Sequence, residues 1–451
     1  MGKVEELLEE VRKKVRPGEK EIGEIEKAKN IVIERLENVL PKDVQIGLMG
    51  SVAKGTALKD NKELDIFLLF DKKYRPEEVK EKGLAWAKKA MKGIKTRVNY
   101  AQHPYLQVLM KEVKVDIVPS FKLENNEKLK TAVDRSQLHK KWVNRRVDEK
   151  MCDDVRLLKQ FMKNIGVYGA QLRVEGFSGY LCELLIIKYG SFLGVLKAAS
   201  KWQEPAIDIA NYHGEEKARG MFPKAAMVVI DPTDKERNVA AVVSHTSLSR
   251  FILASRQFLK NPAKEHFFRE KEVHSAGKLR KMIKGRGTHA IVLVMPAPKL
   301  VEDVLWPQLR KTAHSLLWVL KNGDFHVFGH YFYADKKRAI IIIETKEKEL
   351  PAIKHVPGPF VWHPEHVDAF VEKHKNAINL HAEHDRVVAI EKRKCRTPRE
   401  ALEEAFKNME RTGVPKPFAN ALKKREWENA YYLLGEEKLR EIASDYFSRK
   451  L

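Results

Sequence analysis

The stretch GSVAKGTALKDNKELDIFLLF, residues 50–70, decides how the first part of this chain folds. Its last eight residues (63–70) begin with alternating polar and apolar residues and end as a continuous apolar run, which is typical of a strand. A short strand predicted over Val44–Met49 leads into Gly50-Ser51, and the small residues that follow favour a turn or a helix start. Such a junction offers backbone N–H groups and a serine hydroxyl to a phosphate.

Two carboxylates open the second of these strands. Residues i and i+2 of a strand point to the same face, so Glu63 and Asp65 project together. Asp116 lies in VKVDIVP (113–119), an alternating strand, and can join them if the two strands are neighbours. Close carboxylates repel one another near a core unless they are protonated or bound to a cation. Three of them predict a site for two Mg²⁺ ions about 3.5–4 Å apart, although each residue alone is also compatible with a strand end facing water.

The composition is strongly basic, because 85 Lys and Arg stand against 62 Asp and Glu and give a formal net charge of +23. This excess indicates a polyanionic partner, nucleic acid ahead of a membrane surface, while a heat-adapted charged surface is the alternative. Three cysteines without CxxC spacing argue against a disulfide framework and a cysteine-based zinc site. A charged amino terminus and the lack of an apolar run near the roughly 18 residues of a membrane span predict a cytoplasmic protein without a membrane partner.

The order of predicted elements indicates an α+β, multidomain protein. Helical periodicity over 4–40 breaks at Pro17-Gly18, and a strand-rich part follows. A helical part contains the loop DPTDKERNVA (231–240) and a helix over 246–260. Residues 289–345 predict strand, helix, strand, strand, as in ferredoxin-like or RNA-recognition units, and a Lys/Arg-dense, largely helical tail follows. We expect four parts, with boundaries at 1–145, 146–265, 266–375 and 376–451.

A Gly-Ser turn, a [DE]x[DE] strand and a later Asp on a neighbouring strand resemble the signature of the polymerase-beta-like nucleotidyltransferases. The closer resemblance is to the archaeal-type (class I) CCA-adding enzymes, which are tRNA nucleotidyltransferases. It covers about the first 260 residues in order, whereas the later parts resemble the family only in length, element order and basic character. The resembling stretches are GSVAKGT (50–56), ELDIFLLF (63–70), HPY (103–105), VKVDIVPS (113–120), AVDRSQLHKKWV (132–143), VRLLKQFMKNIGVYGA (155–170), GFSGYLCELLIIKYGSF (176–192) and DPTDKERNVAA (231–241).

The resemblance implies a role for each of the four parts. The first is a nucleotidyltransferase catalytic head with a mixed β-sheet, and the second is a helical neck that recognises the nucleotide base. The third is an RNA-binding α/β body, and the last is a tRNA-binding tail.

The resemblance also implies individual roles within the catalytic site. Lys54 falls where several relatives carry Arg, and it keeps the charge but not the bidentate fork. The implied metal-binding and catalytic residues are Glu63, Asp65 and Asp116. The implied nucleotide-binding residues are Gly50, Ser51 and Lys54 at the triphosphate, His139, Lys159 and Tyr168 at the triphosphate and sugar, and Arg237 at the base edge.

Without the resemblance, local patterns favour ordinary structural roles for four of these residues. Lys159 lies on a helix whose other face is apolar, which predicts a solvated lysine. His139 beside two lysines predicts a surface residue, Tyr168 beside Gly169 a packing contact, and Arg237 lies in an uninformative loop of charges.

The implied activity is template-independent addition of C, C and A to the 3′ end of tRNA from CTP and ATP, including 3′-CCA repair, with release of pyrophosphate. The body and tail would hold the acceptor stem and T-loop corner of tRNA. The basic runs 267–287 and 390–400 are candidate phosphate-contacting surfaces, with solvated helix faces as the alternative. A poly(A) polymerase or oligoadenylate synthetase, an inactive RNA-binding relative, and a homodimer formed through the tail stay open.

Overall fold

The computed structural model describes residues 2–100, 104–123, 131–269 and 272–448. Its contacts divide the chain into two compact units, residues 1–270 and residues 271–450. The division into four parts stays a prediction, and the first two of those parts fall within the first unit.

The first unit contains the helices and strands that position the candidate site. Its described helices are α1 Lys3–Val15, α2 Glu19–Glu37, α3 Gly50–Ala53, α4 Pro76–Ala90, α5 Arg135–Asn144, α6 Glu149–Asn164, α7 Gly179–Tyr189, α8 Phe192–Ala199, α9 Glu215–Met221 and α10 His245–Lys260. Its described strands are β1 Gln45–Met49, β2 Glu63–Phe70, β3 Thr96–Tyr100, β4 Pro104–Met110, β5 Val113–Phe121, β6 Ala206–Asp208, β7 Val228–Asp231 and β8 Asp234–Asn238.

The helix break predicted at Pro17-Gly18 is confirmed, and a glycine or a tight turn shapes the backbone at two places. Pro17 and Gly18 separate α1 from α2, and Gly18 is the extended residue that directly precedes α2. The tight turn between β4 and β5 puts Lys111 at a φ of 53°, in the left-handed region.

The loop predicted over 231–240 is partly wrong. Asp234–Asn238 forms β8, which pairs antiparallel with β7 at the edge of a three-stranded sheet. Its charged residues prevented its prediction as a strand, because acidic and basic side chains are rare in central strands but common on edge strands. Asn238 secures the hairpin, since its side-chain oxygen accepts from the N–H groups of Val229 and Ala240, each at 2.9 Å.

A five-stranded sheet in the order β1-β2-β5-β4-β3 forms the first half of this unit. Strands β2 and β5 are parallel neighbours, whereas the other pairs in the sheet are antiparallel. Alternation along β2 sends Leu64, Ile66 and Leu68 into a core with residues of α2 and α4. Glu63 and Asp65 therefore point to the opposite face.

A second core lies among the helices α6, α7, α8 and α10, and α1 packs against it. Arg12 fixes α1 to α6, because its Nη2 donates to Asp154 Oδ1 at 3.0 Å. No single helix of the described residues is long and apolar enough to cross a membrane, although the pair α7 and α8, bent by 91°, meets the length and composition criteria together.

The second unit contains two sheets. Its described helices are α11 Ala276–Gly285, α12 Glu302–Asn322, α13 Pro364–Lys373, α14 Pro398–Phe406, α15 Lys416–Leu422 and α16 Glu437–Phe447. Its described strands are β9 His289–Pro296, β10 Val327–Ala334, β11 Arg338–Thr345, β12 Ile353–Phe360, β13 Asn379–Glu383, β14 Arg386–Lys392 and β15 Glu426–Asn429.

The predicted strand, helix, strand, strand order of this unit is confirmed for β9, α12, β10 and β11. The sheet order is β10-β11-β9-β15, so a tail strand completes the sheet. A second sheet, β12-β14-β13, takes two further strands from the region predicted to be largely helical. The tail therefore contributes strands as well as helices, and its isolated charged strands lack the alternation from which they could be predicted.

Candidate active site

Three carboxylates lie on one face of the five-stranded sheet. In the parallel register of β2 and β5, Asp65 is directly opposite Asp116, and Glu63 is opposite Lys114. Opposite residues of neighbouring strands point to the same side, and so do residues two apart in one strand. Glu63, Asp65 and Asp116 therefore share the face that points away from the core under α2 and α4.

The crowding of these acids changes how readily they ionise. Burial, together with the charges of Asp116 and Glu63, raises the pKa of Asp65 to about 6. Burial also raises the pKa of Asp116, and the charge of Glu63 adds to the effect, although a hydrogen bond from Gln107 Nε2 at 3.0 Å opposes it. A cation placed between Asp65 and Asp116 would relieve this repulsion.

The carboxylate oxygens of Glu63, Asp65 and Asp116 are suitable ligands for a hard divalent cation, although the three side chains do not converge on one point. Among the described residues, no group of three His, Cys, Asp or Glu side chains has the spacing of a metal site. Glu63 is about half exposed, and its Oε1 lies 3.7 Å from Lys114 Nζ. Asp65 and Asp116 are brought together directly, whereas Glu63 lies on the same face beside a lysine. Carboxylate oxygens are the ligands that Mg²⁺ prefers.

Gly50 and Ser51 form the turn beside Asp65. Gly50 has a φ of 72°, and a Cβ atom built on it would overlap Asp65 Oδ2. Only glycine fits this position, for both conformational and steric reasons. Ser51 follows in the first turn of α3. Lys140 of α5 holds the preceding strand in place, because its Nζ donates to the carbonyl oxygen of Leu48 at 2.9 Å.

A buried cluster around Glu183 gathers two of the predicted nucleotide-binding residues. Lys54 forms an ion pair with Glu183, and Lys159 Nζ lies 3.6 Å from the other carboxylate oxygen. Thr56 joins them, since its hydroxyl donates to Glu183 at 2.6 Å and accepts from Lys159 at 3.1 Å. The local expectation of a solvated Lys159 is wrong, because its side chain is only 2% exposed. With both lysines protonated, this cluster carries a formal excess of one positive charge.

The pKa values in this cluster show what burial and charge do to each group. Burial lowers the pKa of Lys159. Burial works to raise the pKa of Glu183, but the charges of Lys54 and Lys159 overcome it and hold that pKa below its usual range. Tyr168 lies next to the cluster, because a Cβ on Gly179 would be 3.3 Å from Tyr168 Oη and 3.5 Å from Lys159 Nζ. Burial raises the pKa of Tyr168, so its hydroxyl keeps its proton.

A second buried carboxylate, Asp231, gathers the other two predicted residues. Its Oδ2 accepts from His139 Nε2 at 2.9 Å and from Arg237 Nη1 at 2.8 Å. Its Oδ1 accepts from Tyr180 Oη at 3.1 Å and from the N–H and hydroxyl of Thr233 at 2.9 and 2.8 Å. Burial works to raise the pKa of Asp231, but these donors, His139 first, hold it well below its usual range.

Tyr180 lies between the two clusters. Its ring stacks on His139 with centroids 3.7 Å apart and planes 15° apart, and Lys54 Nζ of the Glu183 cluster lies 5.6 Å from the ring centroid. The predicted residues therefore fall into three neighbouring groups. Gly50 and Ser51 lie beside Asp65. Lys54, Lys159 and Tyr168 lie around Glu183. His139 and Arg237 bind Asp231.

Glu183, Asp231 and Tyr180 were not predicted from the sequence. Glu183 did carry a signal, because a lone carboxylate inside the apolar helix YLCELLIIKYG (180–190) requires a buried cationic partner. Asp231 and Tyr180 carried none, since an Asp before Pro is ordinary in turns and a Tyr is ordinary at a helix start.

Three family models match successive parts of the chain. A nucleotidyltransferase domain matches residues 25–139, the second domain of tRNA nucleotidyltransferase matches residues 153–268, and the C-terminal domain of CCA-adding enzyme matches residues 286–428.

Whole-length relatives named CCA-adding enzyme are similar to the chain over most of both lengths. The Methanocaldococcus jannaschii protein is 36% identical over 82% of this chain and 84% of its own. The Pyrobaculum islandicum protein is 38% identical over 87% of this chain and 91% of its own. The Archaeoglobus fulgidus protein is 36% identical over 89% of each.

Proposed function

The chain belongs to the CCA-adding enzymes of the nucleotidyltransferase superfamily, and we propose from this that it adds C, C and A to the 3′ end of tRNA. The nucleotides come from CTP and ATP, pyrophosphate leaves, and no nucleic-acid template is used. The observation that carries the proposal is the carboxylate pair Asp65 and Asp116, set beside the Gly50 turn and close enough to the Glu183 cluster for the charge of Lys54 to act on Asp65.

Asp65 and Asp116, with Glu63, would hold the divalent cations, which we propose to be two Mg²⁺ ions. When bound, such ions activate the attacking hydroxyl and neutralise the triphosphate. The protein supplies the rigid sheet that keeps the carboxylates in place, and Gly50 lets the backbone come against Asp65.

The triphosphate would lie against Ser51 and the excess positive charge of the Glu183 cluster. Lys54 and Lys159 are fixed by Glu183 and Thr56 before a ligand arrives, so little reorganisation is needed when negative charge develops. His139 and Tyr168 complete the contacts to phosphate and sugar. Arg237, one-third exposed and held by Asp231, would recognise the base edge of C and A.

The RNA would lie along basic faces of the second unit. On α11, Lys278, Arg280, Lys281 and Lys284 are exposed while Leu279 is buried, so the helix presents a basic side to solvent. Residues 270–271 of the predicted run 267–287 lie outside the described residues. In the second run, Lys392, Lys394, Arg396 and Arg399 are exposed. We propose that these faces contact tRNA phosphates of the acceptor stem and T-loop corner, with affinity that falls steeply as salt rises.

The deciding experiment incubates the protein with a tRNA that lacks its 3′ CCA, a divalent cation, and labelled CTP, ATP or both. We expect two C residues from CTP alone and a terminal A only when both nucleotides are present. A long A tail would instead identify a poly(A) polymerase or oligoadenylate synthetase. No incorporation with intact tRNA binding would identify an inactive RNA-binding relative.

A tRNA that lacks only the terminal A tests repair in the same assay, with one added A as the expected product. The four-part division, the homodimer and the cytoplasmic location stay predictions.

A further inference from the structure

Two residues with different proposed tasks share one buried oxygen atom. Asp231 Oδ2 accepts from the ring of His139 on α5 and from the guanidinium of Arg237 on β8. We propose that Asp231 is a positioning residue for the incoming nucleotide, and that it aligns His139 and Arg237 with each other so that one ligand can meet both. The inference rests on the proposed function in taking that ligand to be a nucleoside triphosphate.

The carboxylate is itself held rigidly. Thr233 donates twice to Oδ1 and Tyr180 donates once, so the Asp231 carboxylate cannot rotate without losing three hydrogen bonds. Asp231 is completely buried, which excludes competing water. An ionised carboxylate has about four lone-pair sites, and five donors use them fully. A group so fixed transmits its orientation to the side chains that bind it.

The shared oxygen also decides where the proton of His139 lies. A carboxylate with a lowered pKa only accepts hydrogen bonds, so the Nε2 atom of His139 carries a proton toward Asp231. Phosphate oxygens are acceptors too, and the remaining ring nitrogen can donate to them only when the ring is a cation. Burial lowers the pKa of His139, and the charges of Arg237 on β8 and Lys54 after α3 add to this effect. Asp231 on β7 opposes it and favours the cation, and Tyr180 from α7 stacks on the ring.

Within the described part of the chain, Arg237 is held at one edge. Asp231 binds its Nη1 atom, and about one-third of the side chain (34%) is exposed. Without Asp231, the partly exposed Arg237 side chain samples many rotamers. Nucleotide binding must then restrict it to one rotamer, and this loss of conformational entropy weakens binding. The expected defect is therefore in nucleotide binding and not in the chemical step.

Asp231→Asn tests the proposal because it keeps the shape of the side chain and removes its charge. We expect the KM for both CTP and ATP to rise about tenfold or more while kcat changes less than about threefold. The pH above which nucleotide KM worsens should move to lower pH, because His139 loses the charge that favours its protonated ring. The KM for tRNA should not change.

Asp234→Asn is the matched control. Asp234 lies on the same hairpin and bonds Arg135 of the same helix α5 at 3.2 Å, but it contacts neither His139 nor Arg237 in the described contacts. We expect nucleotide KM values within about twofold of those of the unmodified protein. Equal defects in Asp231→Asn and Asp234→Asn would show that Asp231 only stabilises the hairpin, and would overturn the proposal.

Tyr180→Phe keeps the ring stack and removes one hydrogen bond to Asp231. This milder variant still tests the proposal if Asp231→Asn does not fold. A small rise in nucleotide KM, about threefold, supports the proposal. If Asp231→Asn fails to fold by circular dichroism and Tyr180→Phe behaves like the unmodified protein, the role of Asp231 is structural and the proposal is wrong.

Direct binding separates this inference from the proposed function. Calorimetric titration of CTP into the protein with Mg²⁺ and without RNA needs no CCA addition. A protein that binds CTP but adds no nucleotides would contradict the proposed function, while weaker CTP binding by Asp231→Asn alone would still support the positioning role. Unchanged CTP binding by Asp231→Asn would overturn the inference even if CCA addition is observed.

Discussion

The acidic face of the five-stranded sheet, which carries Asp65 and Asp116, differs from the buried carboxylates Glu183 and Asp231 in the direction in which the pKa values are shifted. Asp65 and Asp116 face each other, Gln107 is the one donor to the pair among the residues that the structure describes, and the pKa values of both acids are raised. Glu183 and Asp231 lie deeper, yet each is surrounded by cationic or hydrogen-bonding groups, and their pKa values are lowered.

This difference separates two uses of an acid. A carboxylate whose partners are all inside the protein orients those partners and gives stability. A pair of carboxylates left against each other costs stability and becomes favourable only when a cation from solvent joins them. The following experiments test whether the two regions differ in this way.

The largest effect is expected for Asp65→Asn, in activity. Loss of a carboxylate that we propose to bind metal should reduce CTP incorporation at least about a thousandfold, or about 4 kcal/mol. The melting temperature should stay the same or rise, because one repelling charge disappears. Asp71→Asn, at an exposed residue just beyond the other end of β2, should leave both quantities near those of the unmodified protein. A lower melting temperature with activity retained would contradict the comparison.

Glu183→Gln should have the reverse signature, with stability as its main loss. It leaves Lys54 and Lys159 buried without a counter-charge, which costs about 3 kcal/mol in the free energy of unfolding. Urea unfolding measures this loss. Glu215→Gln, which removes an exposed pair with Lys188, is the control and should have little effect. Equal stabilities of the two variants would show that the buried carboxylate does not hold its lysines.

A divalent cation should stabilise only the protein with an intact acidic face. Millimolar Mg²⁺ should raise the melting temperature of the unmodified protein by a few degrees, because a ligand that binds only the folded state stabilises it. Asp65→Asn should show no such rise, and NaCl of equal ionic strength corrects for screening. The same rise in both proteins would place the cation elsewhere.

The smallest effect concerns pH. The folded-state pKa of Glu183 is lowered, so its stabilising contribution is complete above its unfolded pKa of about 4.5 and is lost as the pH falls toward the folded value. The difference in unfolding free energy between the unmodified protein and Glu183→Gln should therefore shrink as the pH falls below about 4.5. Urea unfolding across this range measures it, and a gap that widens in acid would contradict the sign.

The sequence predicted the acidic face better than the buried clusters, for a physical reason. Alternation along β2 and β5 places Glu63, Asp65 and Asp116 by a local rule, and only the pairing of the two strands had to be assumed. The environment of Lys159 depends on Thr56 and Glu183, which are distant in the chain, so its helix pattern indicated solvent wrongly. Hairpin β7–β8 was missed because its edge strand has no apolar face.

Lys54 and Glu183 are 129 positions apart in the chain, so the parts of the candidate site are synthesised at different times during translation. The sheet that carries Asp65 and Asp116 is complete once β5 has emerged, whereas both lysines emerge before the glutamate that neutralises them. A nascent chain halted between α6 and α7 has its acidic face but an unneutralised cationic cluster. The Glu183 cluster can therefore be completed only after α7 has been translated, later than the sheet that carries Asp65 and Asp116.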